Sequence, residues 1–375
     1  MHIALITTSY PFAELGSEAA GSFVKDFAKA LSKHARVTVI AAGDVRQVTR
    51  EGLVNVSRFL APLLPLSLLD VKSPAHWRHI FITLRNGNEA VRELITTDKP
   101  DHILALWVLP SGYWARAAFR NYGVPYSTWA LGSDIWALGR IPFLRHLIKN
   151  IVRSASISFA DGYKLGRDVE KISRRGCNFL PSTRTLPVLR DKKLATSPPY
   201  KLAFLGRWHP NKGADLLMAA LNRLSTEDWN KITEIRIAGG GPLEEEVLLQ
   251  TGILQAAGRP VQALGYLGEI EAKGLLEWAD YLLIPSRIES IPVVFSDALS
   301  CLCPIIATPV GDIPEIARSY NVGILASGVS SSGIADAIRE ALSKSPGMFR
   351  TNIEKCQTMF NQEAIAKQLF NRLSD

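Results

Sequence analysis

The sequence contains few cysteines, and their spacing excludes the usual metal and disulfide frameworks. Only four occur in 375 residues; Cys301 and Cys303 stand two apart, and Cys177 and Cys356 stand alone. There is no C-x-x-C pair, and no histidine lies at zinc-finger spacing. We therefore expect four reduced thiols, in keeping with a cytoplasmic protein.

Long hydrophobic runs are also missing. No uninterrupted apolar stretch reaches the roughly 18 residues that a membrane-spanning helix needs. The first eight residues, MHIALITT, lack the basic start of a signal peptide and are typical of a first β-strand. Both observations predict a cytoplasmic location.

Two motifs of cofactor chemistry are absent as well. There is no D-x-D sequence, so nothing in the chain demands a divalent metal ion. The loop after the first strand carries Gly16 and Gly21 but lacks the G-x-G-x-x-G spacing of a dinucleotide site. The sequence therefore predicts neither a metal nor a nicotinamide or flavin cofactor.

The overall composition is typical of a globular α/β protein. Hydrophobic residues make up 47% of the chain and charged residues 21%, and 375 residues suffice for two domains. Short apolar runs alternate with helical patterns, which is typical of parallel sheets covered on both faces. The predicted strands lie near 2–7, 36–42, 55–60, 102–108, 126–131, 156–160, 201–206, 232–238, 261–267, 281–285, 304–307 and 322–326.

A polar segment separates the two halves of this pattern. Arg190 to Tyr200 reads RDKKLATSPPY, which is charged and proline-containing, as a linker between domains should be. We place the boundary near residue 195. The last helical pattern, from Gln362 to Leu373, has no strand after it.

The stretch from Glu289 to Asp297 is the most informative in the chain. Glu289 follows a short strand, and Asp297 lies eight residues on, about two turns into the next helix. The helix N-terminus favours a phosphate, and two carboxylates can accept hydrogen bonds from sugar hydroxyls. Taken alone, the pair can equally be a surface acid and an ordinary helix acid.

A second strand-to-helix turn supplies positive charge. The strand ending at Gly206 is followed by Arg207 and Lys212, which are the residue types that bind phosphate oxygens. Taken alone, these two cations can equally be solvated surface residues.

Together the two segments resemble glycosyltransferase family 4, the retaining group 1 type. The family pattern is a strand ending in Gly-Arg, a nearby Lys-Gly, then Glu, seven residues and Glu. Three further segments agree in order and spacing over nearly the whole C-terminal half: AGGGP at 238–242, YLG at 266–268 and TPVGDIPE at 308–315.

This resemblance implies a GT-B fold, that is, two Rossmann-like, doubly wound parallel-sheet domains facing a cleft. Residues 1–194 would form an acceptor-binding domain, and 195–359 a nucleotide-sugar-binding domain. The C-terminal helix, about 360–375, would cross back to the first domain. The implied activity is transfer of a sugar from a nucleotide-sugar donor to a glycan or lipid-linked acceptor, with retention of anomeric configuration, in cell-surface polysaccharide or glycolipid synthesis.

The resemblance also assigns site residues. Arg207, Lys212 and Glu289 would be catalytic, and Asp134 would lie on the acceptor side. No metal and no cofactor is expected beyond the donor itself. The donor-binding positions would be Gly21, Gly206, Gly240, Leu267, Ser290, Ile291, Val293 and Asp297.

Three of these positions carry a competing interpretation or depart from the family pattern. Gly21 can be a glycine that a turn requires, and Asp134 can be a helix cap. Asp297 is one methylene shorter than the usual Glu. In addition, Leu131 stands where the family often has a histidine that faces the donor sugar.

Three rival functions remain open at this point. A GT-B epimerase lacks a second cluster of acid and base residues here, and a dehydrogenase lacks its glycine fingerprint. The third is a non-catalytic partner that binds a nucleotide sugar or a glycan, with Leu131 and Asp297 as signs of lost activity.

A basic window predicts one further partner. Between Arg140 and Arg175 there are nine Lys or Arg and three acidic residues, and Ile141 to Val152 has an amphipathic helix pattern. We expect this window to dock on an anionic inner membrane surface, and we expect no nucleic acid because a basic–aromatic motif is absent. The alternative is an ordinary helix with solvated charges.

Overall fold

The computed structural model describes residues 1–11, 21–64, 66, 69–184, 186 and 194–374. These residues form two compact units. Described residues up to Ser182, together with those from Gln362 onward, make the first unit, and those from Thr183 to Asn361 make the second. None of the described helices combines the length and the apolar character needed to cross a bilayer.

The first unit is a parallel sheet with one antiparallel edge strand. Its strands are β1 (His2–Thr7), β2 (Arg36–Gly43), β3 (Gln47–Glu51), β4 (Val54–Leu60), β5 (His102–Leu106), β6 (Tyr126–Ala130), β7 (Ser158–Ala160) and β8 (Asn178–Phe179). The order across the sheet is β3-β4-β2-β1-β5-β6-β7-β8, and only β3 runs antiparallel to its neighbour. Every residue of β1, β5, β6 and β7 is buried, as a sheet covered on both faces requires.

Helices connect these strands. They are α1 (Ser22–Leu31), α2 (Pro74–Thr97), α3 (Ser111–Tyr122), the short α4 (Ser133–Trp136), α5 (Pro142–Ser154) and α6 (Tyr163–Ser173). Buried apolar residues of α3, α5 and α6 share one core cluster with strand residues such as Ile103 and Ala130.

The second unit has a six-stranded, all-parallel sheet. Its strands are β9 (Tyr200–Leu205), β10 (Ile232–Ala238), β11 (Val261–Gly265), β12 (Tyr281–Ile284), β13 (Ile305–Ala307) and β14 (Gly323–Leu325), in the order β11-β10-β9-β12-β13-β14. Its helices are α7 (Ala214–Leu221), α8 (Thr226–Trp229), α9 (Glu244–Ala256), α10 (Glu269–Trp278), α11 (Val293–Ser300), α12 (Ile313–Tyr320), α13 (Ser331–Leu342) and α14 (Arg350–Cys356).

The C-terminal helix α15 (Gln362–Ser374) packs against α1 of the first unit. Lys33 forms an ion pair with Glu363 at 2.6 Å, and the rings of His34 and Phe370 stack with centroids 5.9 Å apart. Buried Ile365, Ala366 and Leu369 give this helix its apolar side.

The division between the units falls earlier than the predicted boundary near 195. The Thr183 hydroxyl lies 3.2 Å from Ser296 Oγ and donates to the carbonyl of Phe360, so the chain joins the second unit immediately after Ser182. Residues 190–193 of the predicted linker lie outside the described residues.

All twelve strands predicted from the sequence are present, with ends that differ by no more than two residues. The fold prediction of two Rossmann-like parallel-sheet domains is therefore confirmed. The sequence missed β3, whose residues are almost all exposed and carry no apolar pattern, and β8, which has only two residues.

A buried histidine in β5 predicts acid sensitivity. His102 is 5% exposed, its Nε2 lies 2.9 Å from Ser127 Oγ, and burial lowers its pKa from 6.5 to about 4. Between these values the unfolded chain binds more protons than the folded one, so stability falls as the pH drops from about 6.5 to about 4. A shift of this size corresponds to about 3 kcal/mol.

We expect His102→Gln to remove this part of the acid response. Urea unfolding at intervals from pH 7 to pH 4 measures the free energy of unfolding of variant and wild type. Their difference at each pH removes the contribution of other groups, such as His2, because both proteins share them. Burial lowers the pKa of His2 as well. Parallel stability curves for the two proteins would contradict the assignment.

Candidate functional site

The loops at the centre of the second sheet form the candidate site. From β9 the chain moves outward to β10 and β11, and from β12 it moves the opposite way to β13 and β14, so the strand order reverses between β9 and β12. Ligands of open α/β sheets bind beyond the carboxyl ends of the strands at such a point. The loops that follow β9 and β12 occupy this position.

A glycine brings these two loops together. Gly213 has φ +71°, and a β-carbon there would lie 1.9 Å from the carbonyl oxygen of Pro285, so only glycine allows this approach. The contact places Lys212 beside the loop after β12, where its ammonium group forms an ion pair with the carboxylate of Glu289. Two of the three predicted catalytic residues, Lys212 and Glu289, are therefore in direct contact.

The carboxylate of Glu289 has a second partner. Ser286 Oγ donates to Glu289 Oε1 at 3.1 Å. The Glu289 side chain is 11% exposed and that of Lys212 is 34% exposed, so both reach solvent at one spot. A β-carbon on Gly311, at φ +60°, would lie 2.3 Å from the Glu289 carbonyl oxygen, which fixes the backbone here.

Arg287 connects the same two loops through hydrogen bonds. The sequence analysis did not predict a role for this residue. Its guanidinium pairs with both carboxylate oxygens of Asp215, at 2.7 and 2.5 Å, and donates to the carbonyl of Pro210. The hydrogen bond from Arg287 holds the pKa of the Asp215 carboxyl below its ordinary value. Arg287 thus positions Lys212 and Glu289 through the backbone on either side of them. The partners lie 72 residues apart, so no local pattern reveals the pair.

The N-terminus of α11 lies directly after Glu289. No side chain caps its first amides, and Pro292 occupies the N-cap position. Ser290 is 5% exposed, and its hydroxyl has no hydrogen-bond partner among the described residues. A buried polar group without a partner costs about 1–3 kcal/mol, which a ligand atom at this position would offset. Ile291 is buried and Val293 half-buried, so only their backbone amides can serve a ligand.

The Arg207 side chain is exposed and makes no hydrogen bond or ion pair to the rest of the described chain, so it is available to an anion. The loops after β9 and β10 are hydrogen-bonded to each other, with the Trp208 amide 2.8 Å from the Gly240 carbonyl oxygen, and the Gly239 amide donates to the carbonyl of Gly265 at the end of β11. A β-carbon on Gly240 would lie 2.4 Å from the Tyr266 ring, next to half-buried Leu267. Gly206, Gly240 and Leu267 therefore share the sheet edge that carries Lys212.

Asp297 differs from its predicted environment. It is 1% exposed, and Arg184 Nε donates to its Oδ2 at 3.1 Å while Nη2 contacts the same oxygen. Burial raises the pKa of the Asp297 carboxyl, against the opposing effect of Arg184. In this structure the carboxylate is occupied by Arg184 and is not open to a ribose. The sequence did not single out Arg184.

In the first unit, the Asp134 carboxylate is buried and surrounded by backbone amides. Its carboxylate is 1% exposed and accepts hydrogen bonds from the amides of Val108 (2.7 Å), Leu131 (3.3 Å) and Ile135 (3.1 Å). Burial nevertheless raises its pKa to about 6. Asp134 lies inside α4, whose N-cap position is held by Gly132, so it is not the cap of that helix. Its predicted place on the acceptor side remains a prediction.

Gly21 is likewise required by the backbone. It has φ +91°, and a β-carbon there would lie 2.4 Å from the carbonyl oxygen of Ser9, at the end of β1. The turn interpretation accounts for this glycine. Its predicted donor contact remains a prediction.

The basic window from 140 to 175 is not one surface. Arg145 lies near the start of α5, whereas the Arg175 guanidinium donates to the carbonyls of Arg153 and Ala155 at the other end of that helix. A 13-residue helix is about 20 Å long, so these charges lie at opposite edges of the sheet. The basic residues of the window therefore do not form one continuous face, and docking of the window on an anionic membrane remains a prediction.

Among the described residues, no group of three His, Cys, Asp or Glu side chains is arranged to hold a metal ion, and none of the four cysteines, all of which are described, forms a disulfide. The groups that the site offers a ligand are the Lys212 and Arg207 cations, the Glu289 carboxylate, the Ser290 hydroxyl and the α11 amides. This set suits a phosphate next to a hydroxyl-rich group.

Comparison with known proteins agrees with this chemistry. Residues 199–344 match the family model described as Glycosyl transferases group 1. TuaC of Bacillus subtilis, a glycosyltransferase named for teichuronic acid biosynthesis, is 27% identical over 255 residues, which cover 64% of this chain and 60% of TuaC. The chain thus spans less than two thirds of the length of the curated relatives it matches.

Solved structures show the same fold. Sucrose-phosphate synthase from Thermosynechococcus elongatus has a TM-score of 0.76 at 19% identity, covering 98% of this chain and 97% of that protein. HepE of Anabaena, solved in complex with UDP-glucose, has a TM-score of 0.71 at 17% identity, covering 100% and 99%. The predicted resemblance is confirmed: the chain has a GT-B fold, and residues 199–344 of its second unit match the model of the group 1 glycosyltransferases.

Proposed function

We propose that this protein transfers a sugar from a nucleotide-sugar donor to a glycan or lipid-linked acceptor, with retention of anomeric configuration, in cell-surface polysaccharide or glycolipid synthesis. The observation that carries the proposal is the contact between Lys212 and Glu289 at the switch point of the second sheet. A cation for phosphate and an acceptor for hydroxyls meet there beside an uncapped helix N-terminus.

The residues of this site have different roles in the transfer reaction. Negative charge builds on the leaving diphosphate as the glycosidic bond breaks, and Lys212, Arg207 and the α11 amides stabilise it. Electrostatic stabilisation of this kind usually contributes more to catalysis than any other single effect. Glu289 accepts hydrogen bonds from the donor sugar, and Ser290 Oγ donates to the donor. Protein cations meet the diphosphate charge in this proposal, which requires no metal ion.

The comparisons support the substrate class. HepE was solved in complex with UDP-glucose on the same fold, and the name of TuaC refers to teichuronic acid biosynthesis. Asp297 takes part in donor binding only if Arg184 releases it. We place the reaction in the cytoplasm, at the inner face of the cell membrane when the acceptor is lipid-linked.

A thermal-shift screen against UDP-, GDP- and ADP-sugars tests donor binding. A donor at 100 times its Kd should stabilise the protein by about 2.7 kcal/mol. Lys212→Ala should lose this stabilisation. Lys231→Ala should keep it, because Lys231 is exposed immediately before β10, at the opposite edge of the same sheet. The absence of any shift across the panel, or an equal loss in both variants, would contradict the proposed site.

A non-catalytic binding protein of the same fold is the competing function. It is favoured by the pairing of Asp297 with Arg184 and by Leu131 at the position where the family often has histidine. The two functions differ in turnover. An enzyme releases nucleoside diphosphate from the donor that gives the largest thermal shift, whereas a binding protein is stabilised by that donor and releases none.

A further inference from the structure

Three helices of the first unit lie side by side on one face of its sheet. Gly87 of α2 sits against the ring of Trp114 in α3, whose Nε1 donates to the Leu84 carbonyl at 2.9 Å. On the other side of α3, a β-carbon on Gly112 would lie 2.7 Å from Ile151 of α5. Helix α3 is therefore flanked by α2 and α5.

These three helices point the same way. Helix α2 leads into β5, α3 connects β5 to β6, and α5 leads into β7, and these strands are parallel. A helix that connects parallel strands runs antiparallel to them. The N-terminal ends of α2, α3 and α5 therefore share the carboxyl edge of the sheet.

Each of these ends exposes large aromatic side chains. Trp77 and Phe81 in α2 are 58% and 67% exposed, Tyr113 in α3 is 41% exposed, and Phe143 in α5 is 76% exposed. Single exposed apolar residues need no explanation, but a group of them on neighbouring elements marks an interaction surface.

The same segments carry positive charge without acids. Residues 72–85, 111–122 and 140–153 contain no Asp or Glu. Their basic residues are Lys72, Arg78, Arg85, Arg116, Arg120, Arg140, Arg145, Lys149 and Arg153. The acidic residues that flank the α2 segment are Asp70, which accepts a hydrogen bond from the Lys72 amide at 2.9 Å, and Glu89, which pairs with Arg85 at 2.9 Å. Six of these basic residues, Lys72, Arg78, Arg85, Arg116, Arg140 and Arg145, lie in or just before the N-terminal halves of the three helices, where the aromatic residues also lie.

We propose that this three-helix face, formed by the N-terminal halves of α2, α3 and α5, docks on an anionic lipid bilayer. Aromatic rings favour the interface between headgroups and acyl chains, and each basic residue near an anionic leaflet adds about 1 kcal/mol. The face deepens the proposed function, because it would hold the protein where a lipid-linked acceptor resides. It replaces the window 140–175, adding α2 and α3 and leaving out Arg175.

Sedimentation with phosphatidylglycerol-containing vesicles at low and high salt tests this face. Wild type should pellet at low salt and stay in the supernatant at high salt or with phosphatidylcholine alone. Arg78→Glu with Arg145→Glu should lower the partition coefficient at least about 30-fold, since two basic residues are lost and two acids gained. Trp77→Ser with Phe143→Ser should weaken vesicle binding at low salt. The binding that remains should depend on salt concentration with the same slope as in wild type.

The matched control is Lys29→Glu with Lys367→Glu. Both lysines are exposed, they lie in α1 and α15, which pack together outside the three-helix face, and the charge change is the same. This control should lose much less binding than the face pair, because both lysines lie outside the three-helix face. Equal losses in both pairs would overturn a defined face in favour of general charge attraction.

Two other outcomes also overturn the proposal. One is the absence of wild-type pelleting with anionic vesicles at low salt. The other is binding of the face to a single-stranded polynucleotide in preference to vesicles. The donor thermal shift, measured on the same variants, distinguishes the two proposals. A normal thermal shift without vesicle binding would contradict the docking face alone. Vesicle binding without any thermal shift would contradict the proposed donor site alone.

Discussion

Lys212→Ala is expected to lower turnover by about 100- to 1,000-fold, the loss typical for one preorganised group that stabilises transition-state charge. The reason is geometric: the Gly213 approach to Pro285 holds the ammonium group against Glu289, beside the free amides of α11. Release of nucleoside diphosphate from the best-binding donor measures the effect. Glu289→Gln should also lose turnover, because it keeps the volume of the side chain and removes its charge.

Lys231→Ala is the control for this prediction and should retain wild-type turnover. The thermal unfolding midpoints of all three variants should remain close to wild type, because Lys212 and Lys231 reach solvent and Gln keeps a hydrogen-bond acceptor for Ser286. Wild-type turnover in both Lys212→Ala and Glu289→Gln would remove these residues from the mechanism.

Arg184→Ala is expected to destabilise the second unit by about 3–5 kcal/mol, the cost of leaving one partner of a buried ion pair uncompensated. Asp297 is 1% exposed and the Arg184 side chain 15% exposed, so water cannot replace the guanidinium readily. Replacing both partners, with Arg184→Met and Asp297→Leu, should recover most of the loss, because no buried charge remains. Urea unfolding of wild type, Arg184→Ala and the double variant measures these differences in stability.

The pH dependence separates this electrostatic cause from lost packing. Burial already raises the pKa of Asp297, and removing Arg184 should raise it further. The folded variant then holds a proton that the unfolded chain has released, so its stability falls as the pH rises above the ordinary carboxyl range. Arg184→Ala should therefore lose less stability at pH 5 than at pH 7. Equal losses at both pH values would point to packing instead.

Local sequence determined the strands and the central site. The strands β9 and β12 are short apolar runs that end at Gly206 and Pro285, and this local signal fixed their positions almost to the residue. Lys212 and Glu289 were predicted because each follows such a strand at a strand-to-helix turn, and because the two segments together resemble the glycosyltransferase family 4 pattern. Turn glycines such as Gly213 made the loops recognisable without any knowledge of tertiary contacts.

Only the tertiary structure decided which side chains pair. Asp297 and Arg184 lie 113 residues apart and Arg287 and Asp215 lie 72 apart, so neither pair leaves a periodic trace in the sequence. The basic window shows the same limit. The two ends of α5 lie at opposite edges of the sheet, so basic residues that are close in sequence are separated. Trp77 and Phe143 are distant in sequence but lie at one edge. Hydrophobic periodicity reports whether a residue faces the core, but the neighbour it meets depends on how the strands are ordered.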